Sequence, residues 1–100
     1  MDNKEILNIK YEHEYRCIKF CIKKNKNENS DKFIFLSNQE NEVFNHLYNN
    51  EILKTKDFEN QMEKTALRTA ICRLRVKVKK LYEIKSINKI GYILVRRNYD

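Results

Sequence analysis

Apolar and polar positions alternate with a period of two over residues 5–23. Ile6, Asn8 and Lys10 oppose Leu7, Ile9 and Tyr11, and Tyr15, Cys17, Lys19 and Cys21 oppose Arg16, Ile18, Phe20 and Ile22. Alternation of this kind predicts half-buried antiparallel strands, with Glu12-His13-Glu14 as the turn between them. Residues 23–32 hold no apolar side chain and predict an exposed loop. Phe33-Ile34-Phe35-Leu36 predicts a third short strand.

The period then lengthens. Ser37-Asn38-Gln39-Glu40 is an S-x-x-E capping box, in which Ser37 and Glu40 each satisfy a backbone N–H of the other. The helix it opens puts Val43, Phe44, Leu47 and Tyr48 on one stripe, and Asn49-Asn50 is its stop. Leu53–Asp57 leads into a short second helix carrying Phe58 and Met62, with Thr55 a better N-cap than Lys54. The third helix, over about 65–81, is the clearest element. Leu67, Ile71, Leu74, Val78 and Leu81 recur at helical spacing and make one buried stripe. Its other faces carry Arg68, Thr69, Cys72, Arg73, Arg75, Lys77, Lys79 and Lys80, with no acidic residue. A helix that cannot balance its own charge suits an external anion. Two short alternating runs around Asn88-Lys89 predict a β-hairpin over 84–95.

Charge sharpens this picture. The chain has 100 residues and a formal net charge of +7. Residues 1–52 hold eight Lys/Arg against nine Asp/Glu, and residues 53–100 hold thirteen against five. A basic half joined to a near-neutral half fits a surface that meets phosphates. The length predicts a single domain, with strands over 5–36, a three-helix unit over 37–81 and the hairpin over 84–95. There is no Pro, and Gly91 is the one glycine, which excludes collagen-like and linker-like compositions. No apolar run approaches a membrane span and no secretory signal is visible, so a cytoplasmic location is expected.

Enzyme chemistry finds little support. No Ser/His/Asp arrangement and no phosphate-cradling glycine loop is present. Cys17, Cys21 and Cys72 are odd in number, so a disulfide framework is not expected. His13 and His46 are poorly placed to complete a zinc site. Cys17 and Cys21 are therefore read as small buried hydrophobes sharing a strand face. No metal and no cofactor is expected.

Strands, three helices and a terminal hairpin follow the order of an α+β winged helix-turn-helix. From about Phe33 to Val95 the chain resembles the DNA-binding effector domain of OmpR/PhoB-type response regulators, shared by ToxR-like regulators. Leu36-Ser37-Asn38-Gln39-Glu40 with Val43, Phe44 and Leu47 resembles the family's first helix, L-[ST]-x-x-E-x-x-[LF]-x-x-L. Leu67–Val78, with Ile71-Cys72-Arg73-Leu74-Arg75-Val76-Lys77-Val78, resembles its recognition helix, V-x-x-x-I-x-R-L-R-x-K-L. Ser86–Leu94 resembles its wing, T-V-R-G-x-G-Y-x-L. Lys89 stands where the family has its first wing glycine, Asn88 where it has the wing arginine, and Arg68 at an acidic position.

The resemblance implies that the third helix enters a DNA major groove. Thr65, Arg68, Thr69, Cys72 and Arg73 would then face the duplex, with Arg68 and Arg73 on base edges. Arg75, Lys77 and Lys79 would hold phosphates, and Lys54 and Lys56 a further one. Ser86, Asn88 and Lys89 would set the wing on the backbone or minor groove. Tyr92 packs or touches DNA, and Gly91 answers a backbone requirement. The resemblance also implies homodimers on tandem half-sites, contact with RNA polymerase, and a nucleoid-associated, non-membrane regulator of transcription. A second class stays open, a protein-docking winged helix that uses its basic helix for an acidic partner.

Overall fold

The computed structural model describes residues 5–25 and 28–97. They form an α+β structure with two three-stranded antiparallel sheets and three α-helices. Two compact units result. One runs up to Phe35, and the other spans Leu36–Arg97.

The first unit is the sheet β1-β2-β3, from β1 (Glu5–Glu12), β2 (Cys17–Asn25) and β3 (Glu28–Phe35). The chain turns from β1 to β2 through a 3-10 turn, His13–Tyr15, with Arg16 left-handed at φ 51°. Ile18, Phe20 and Ile22 alternate on one face of β2 and are buried. The expected alternation breaks in β1. The register shifts between Leu7 and Lys10, and Asn8 takes φ 55°. One extra residue is a β-bulge, so Ile6 and Tyr11, opposite Ile22 and Ile18, share a face although five residues apart.

Two expectations for this unit are corrected. The polar stretch 23–32 is not a loop, because β2 continues to Asn25 and β3 begins at Glu28. Pairs such as Ile22↔Ser30 and Lys23↔Asn29 extend the ladder. Backbone groups hold that extension, and they need no apolar side chain to do so. Cys17 and Cys21 do share a face, but it is the half-exposed one. Strand alternation gives the buried side to Ile18, Phe20 and Ile22 and leaves the cysteines beside Lys19. Burial first, and Glu12 second, push the Cys17 thiol above its ordinary pKa.

In the second unit, α1 (Asn38–Asn50) begins at the expected capping box. Glu40 N–H donates to Ser37 Oγ at 3.2 Å, and Ser37 N–H donates to Glu40 Oε1 at 2.9 Å. Val43, Phe44 and Leu47 are fully buried, whereas Tyr48 lies at the margin of the stripe, exposed and 5.9 Å from the Phe44 ring. Glu51 ends the helix in a left-handed conformation, φ 66°.

A three-residue strand, β4 (Ile52–Lys54), follows, which the hydrophobic pattern does not predict. It runs directly into α2 (Thr55–Phe58). Lys54, not Thr55, is the N-cap, with no side-chain cap bond. Pairing of Lys54 with Gly91 holds it extended, and Thr55 N–H already donates to Ile90 C=O at 2.9 Å. Phe58 is buried against the His46 ring, 5.0 Å away. Met62 lies beyond this helix, half-buried in a bend.

Helix α3 (Lys64–Val78) buries Leu67, Ala70, Ile71, Leu74 and Val78. It stops short of the expected residue 81. Leu81 N–H closes a turn on Val78 C=O, which reverses the chain into the sheet while Leu81 stays fully buried. The hairpin is β5 (Tyr82–Ile87), a turn over 88–90, and β6 (Gly91–Arg96). The strand order is β4-β6-β5, so β6 lies between its hairpin partner and the short strand. Gly91 makes that possible. A Cβ there would stand 1.9 Å from the Leu53 carbonyl oxygen, so only a glycine lets β4 approach β6. Among the described residues, no helix is long and apolar enough to cross a membrane.

Candidate functional site

Helix α3 has two unlike sides. Its buried stripe packs within its own unit, and the opposite side presents Thr65, Arg68, Thr69, Cys72, Arg73 and Val76, all exposed. Their spacing of three and four residues places them on one face. The helix holds five cations (Lys64, Arg68, Arg73, Arg75 and Lys77) and no carboxylate. Its charge is therefore uncompensated along the helix itself.

An open groove runs between the start of α2, the N-terminal half of α3 and the hairpin turn. Lys56, Lys64, Arg68 and Lys89 line it together with Glu59, Thr55, Ser86 and Asn88, and Leu67, Ile87 and Tyr92 supply apolar lining. Four cations against one carboxylate leave the groove with a net positive charge. Lys64 is part of this site although the sequence reading passed over it. Its signal was its place in the first turn of α3, beside Thr65 and Arg68. Ile90, 47 % exposed at the turn, was passed over as well. Lys89 holds φ 63° at the tip. That is the left-handed position a glycine would take more easily.

The remaining cations are placed differently. Arg75 turns toward the hairpin. Its Nε–H donates to Ile84 C=O at 3.0 Å, its Nη2 donates to Ser86 Oγ at 2.8 Å, and its guanidinium carbon lies 5.8 Å from the Tyr92 ring centroid. Lys77 Nζ lies 2.5 Å from Glu40 Oε1. Lys79 is exposed at the end of α3, and its carbonyl accepts from Arg97 Nε. Lys54 is exposed on β4 and does not line the groove.

Glu40 joins two helices through one carboxylate. It is 3 % exposed, caps α1 and receives Lys77 from the last turn of α3. Burial alone would raise its pKa, but the bonds from Lys77 and Ser37 outweigh burial and hold the carboxyl below its ordinary value. The pair also fixes where the C-terminal end of α3 sits against the start of α1.

Among the described residues, no group of three or more His, Cys, Asp or Glu side chains could hold a metal ion. Cys72 is free and exposed on the outward face of α3. Comparison of the chain with protein-family models, with curated proteins and with solved structures returned no match.

Proposed function

We propose that this chain is a winged helix-turn-helix protein that binds double-stranded DNA in a sequence-specific way and regulates transcription. The observation that carries the reading is the acid-free outer face of α3, contiguous with a cationic groove that ends at the hairpin turn. The element order α1-β4-α2-α3-β5-β6 and the strand order β4-β6-β5 support it. In this reading α3 lies in the major groove. Arg68 and Arg73 read guanine edges, each bidentate pair contributing about 1–3 kcal/mol of discrimination. Thr69, Cys72 and Val76 offer short side chains to thymine methyl groups. Lys56, Lys64 and Lys89 hold the phosphodiester chain along the groove, and Asn88 meets the adjacent minor groove. Homodimers on tandem half-sites, contact with RNA polymerase and a cytoplasmic location belong to the same reading.

The competing reading is a protein-docking module. The exposed apolar side chains of Val76 and Ile90, 71 % and 47 % exposed, favour it. Selection from randomised duplexes at about physiological salt separates the two. An enriched motif that is lost in Arg73→Ala is expected for the regulator. Weak, salt-labile binding without enrichment rejects it and favours an acidic protein partner.

A further inference from the structure

We infer that Arg75 is a positioning residue that locks the β5–β6 hairpin to α3, so that the helix face and the hairpin turn meet one duplex as a single surface. The inference rests on the DNA-binding reading for its functional part. Its structural part stands without it.

Three contacts converge on this one side chain. The guanidinium reaches a backbone carbonyl at Ile84 and a hydroxyl at Ser86, both on β5, and covers the ring of Tyr92 on β6. Ser86 and Tyr92 are themselves opposite each other across the hairpin. One rigid, planar group therefore grips both strands just before the turn. A guanidinium presents its donors as a fixed fork, which a lysine ammonium on a flexible stem cannot reproduce.

The clamp fills a gap in the fold. On the other side, β6 is held by β4 through Lys54↔Gly91 and by Thr55 N–H on Ile90 C=O. Strand β5 is the outer strand of this sheet in the order β4-β6-β5. Beyond the buried Ile84, its residues Lys85 and Ser86 are exposed and Ile87 is half-buried. Packing therefore fixes the base of β5 more firmly than its end, and Arg75 supplies the attachment near the turn. The groove lined by Arg68 of α3 and Lys89 of the turn keeps its width only if that attachment holds.

Two measurements test this. The first uses no DNA. With Cys17→Ala and Cys21→Ala, spin labels go on native Cys72 and on Asn88→Cys, and their distance distribution is measured. A narrow distribution with Arg75, broadened in Arg75→Lys, is the expected result. An equally narrow distribution in Arg75→Lys overturns the inference, whatever the chain binds. Arg75→Met is the harsher variant, and Arg75→Lys stands in for it should it unfold.

The second measurement is duplex affinity against salt for the unlabelled chain, with and without Lys89→Ala. Each lost phosphate contact lowers the steepness of the fall of log K with log salt by about 0.9. Lys89→Ala lowers it by that amount when Arg75 is present and leaves it unchanged in Arg75→Lys. Because Arg75→Lys keeps the positive charge, this loss cannot be assigned to a missing phosphate contact by Arg75 itself. Equal effects of Lys89→Ala in both backgrounds overturn the positioning role. A chain that binds no duplex at all sinks the DNA-binding reading, and the distance measurement still decides the clamp.

Discussion

Removing the Glu40 charge tests how the second unit is tied together. Glu40→Gln keeps an acceptor for the Ser37 N–H, since Gln serves in a capping box as Glu does. It removes the charge opposite Lys77 Nζ, 2.5 Å away. A hydrogen bond to a charged group contributes about 1.5–3 kcal/mol. Lys77 is 37 % exposed at its side chain and recovers part of its hydration when released. A loss of about 1–2 kcal/mol follows for Glu40→Gln. Lys77→Met leaves a nearly buried carboxylate with the Ser37 N–H as its remaining bond, and costs about the same or more. The double variant should cost less than the sum of the two by at least about 0.5 kcal/mol, because each single change already ends the interaction.

Urea unfolding followed by circular dichroism at pH 7 gives all four stabilities. The pH dependence supplies an independent check. The folded-state pKa of Glu40 is lowered, so its contribution is present above the ordinary carboxylate value and is lost as pH falls through the folded value. Wild type should therefore lose more stability than Glu40→Gln on acidification. Strict additivity of the two changes, or parallel pH profiles for wild type and Glu40→Gln, would mean that the Glu40–Lys77 bond does not tie α1 to α3.

Gly91→Ala should be among the most damaging single substitutions. The new Cβ meets the Leu53 carbonyl oxygen at 1.9 Å, so β4 must part from β6, and a loss above about 3 kcal/mol is expected in the same unfolding assay. Lys89→Gly should act oppositely on stability and on binding. Relief at φ 63°, set against the greater chain entropy of glycine, leaves it about 0.5 kcal/mol more stable. On the proposed DNA-binding function, its duplex affinity should fall with a salt dependence less steep by about 0.9. Lower stability, or an unchanged slope, contradicts the placement of Lys89.

What the sequence disclosed and what it hid divide along a physical line. The capping box at Ser37, the buried stripe of α3 and the hairpin around Asn88 each depend on side chains close in the chain, and local chemistry decides them. Strand β4 escaped notice because three residues cannot show a period, and its identity comes from pairing with β6 across Gly91. The polar ladder of β2 and β3 escaped for the opposite reason, since its backbone bonds leave no mark on side-chain type. The Asn8 bulge inverted a parity that looked regular. Arg75 reads as a phosphate contact in the sequence because its partners in the fold lie nine and eleven residues away. They become neighbours only after the chain has reversed between α3 and β5.

Arg97 closes the described chain beside the end of α3. Its N–H donates to Leu81 C=O at 2.9 Å, and its guanidinium reaches the Lys79 carbonyl. Between it and the hairpin turn lies the whole of β6, six residues, or about 20 Å at strand spacing. Arg97 therefore stands at the end of the hairpin opposite the groove. Immobilising the protein on a sensor surface through that end leaves Lys56, Lys64, Arg68 and Lys89 facing solution. Coupling through lysine amines would consume three of those four groups before any ligand arrived.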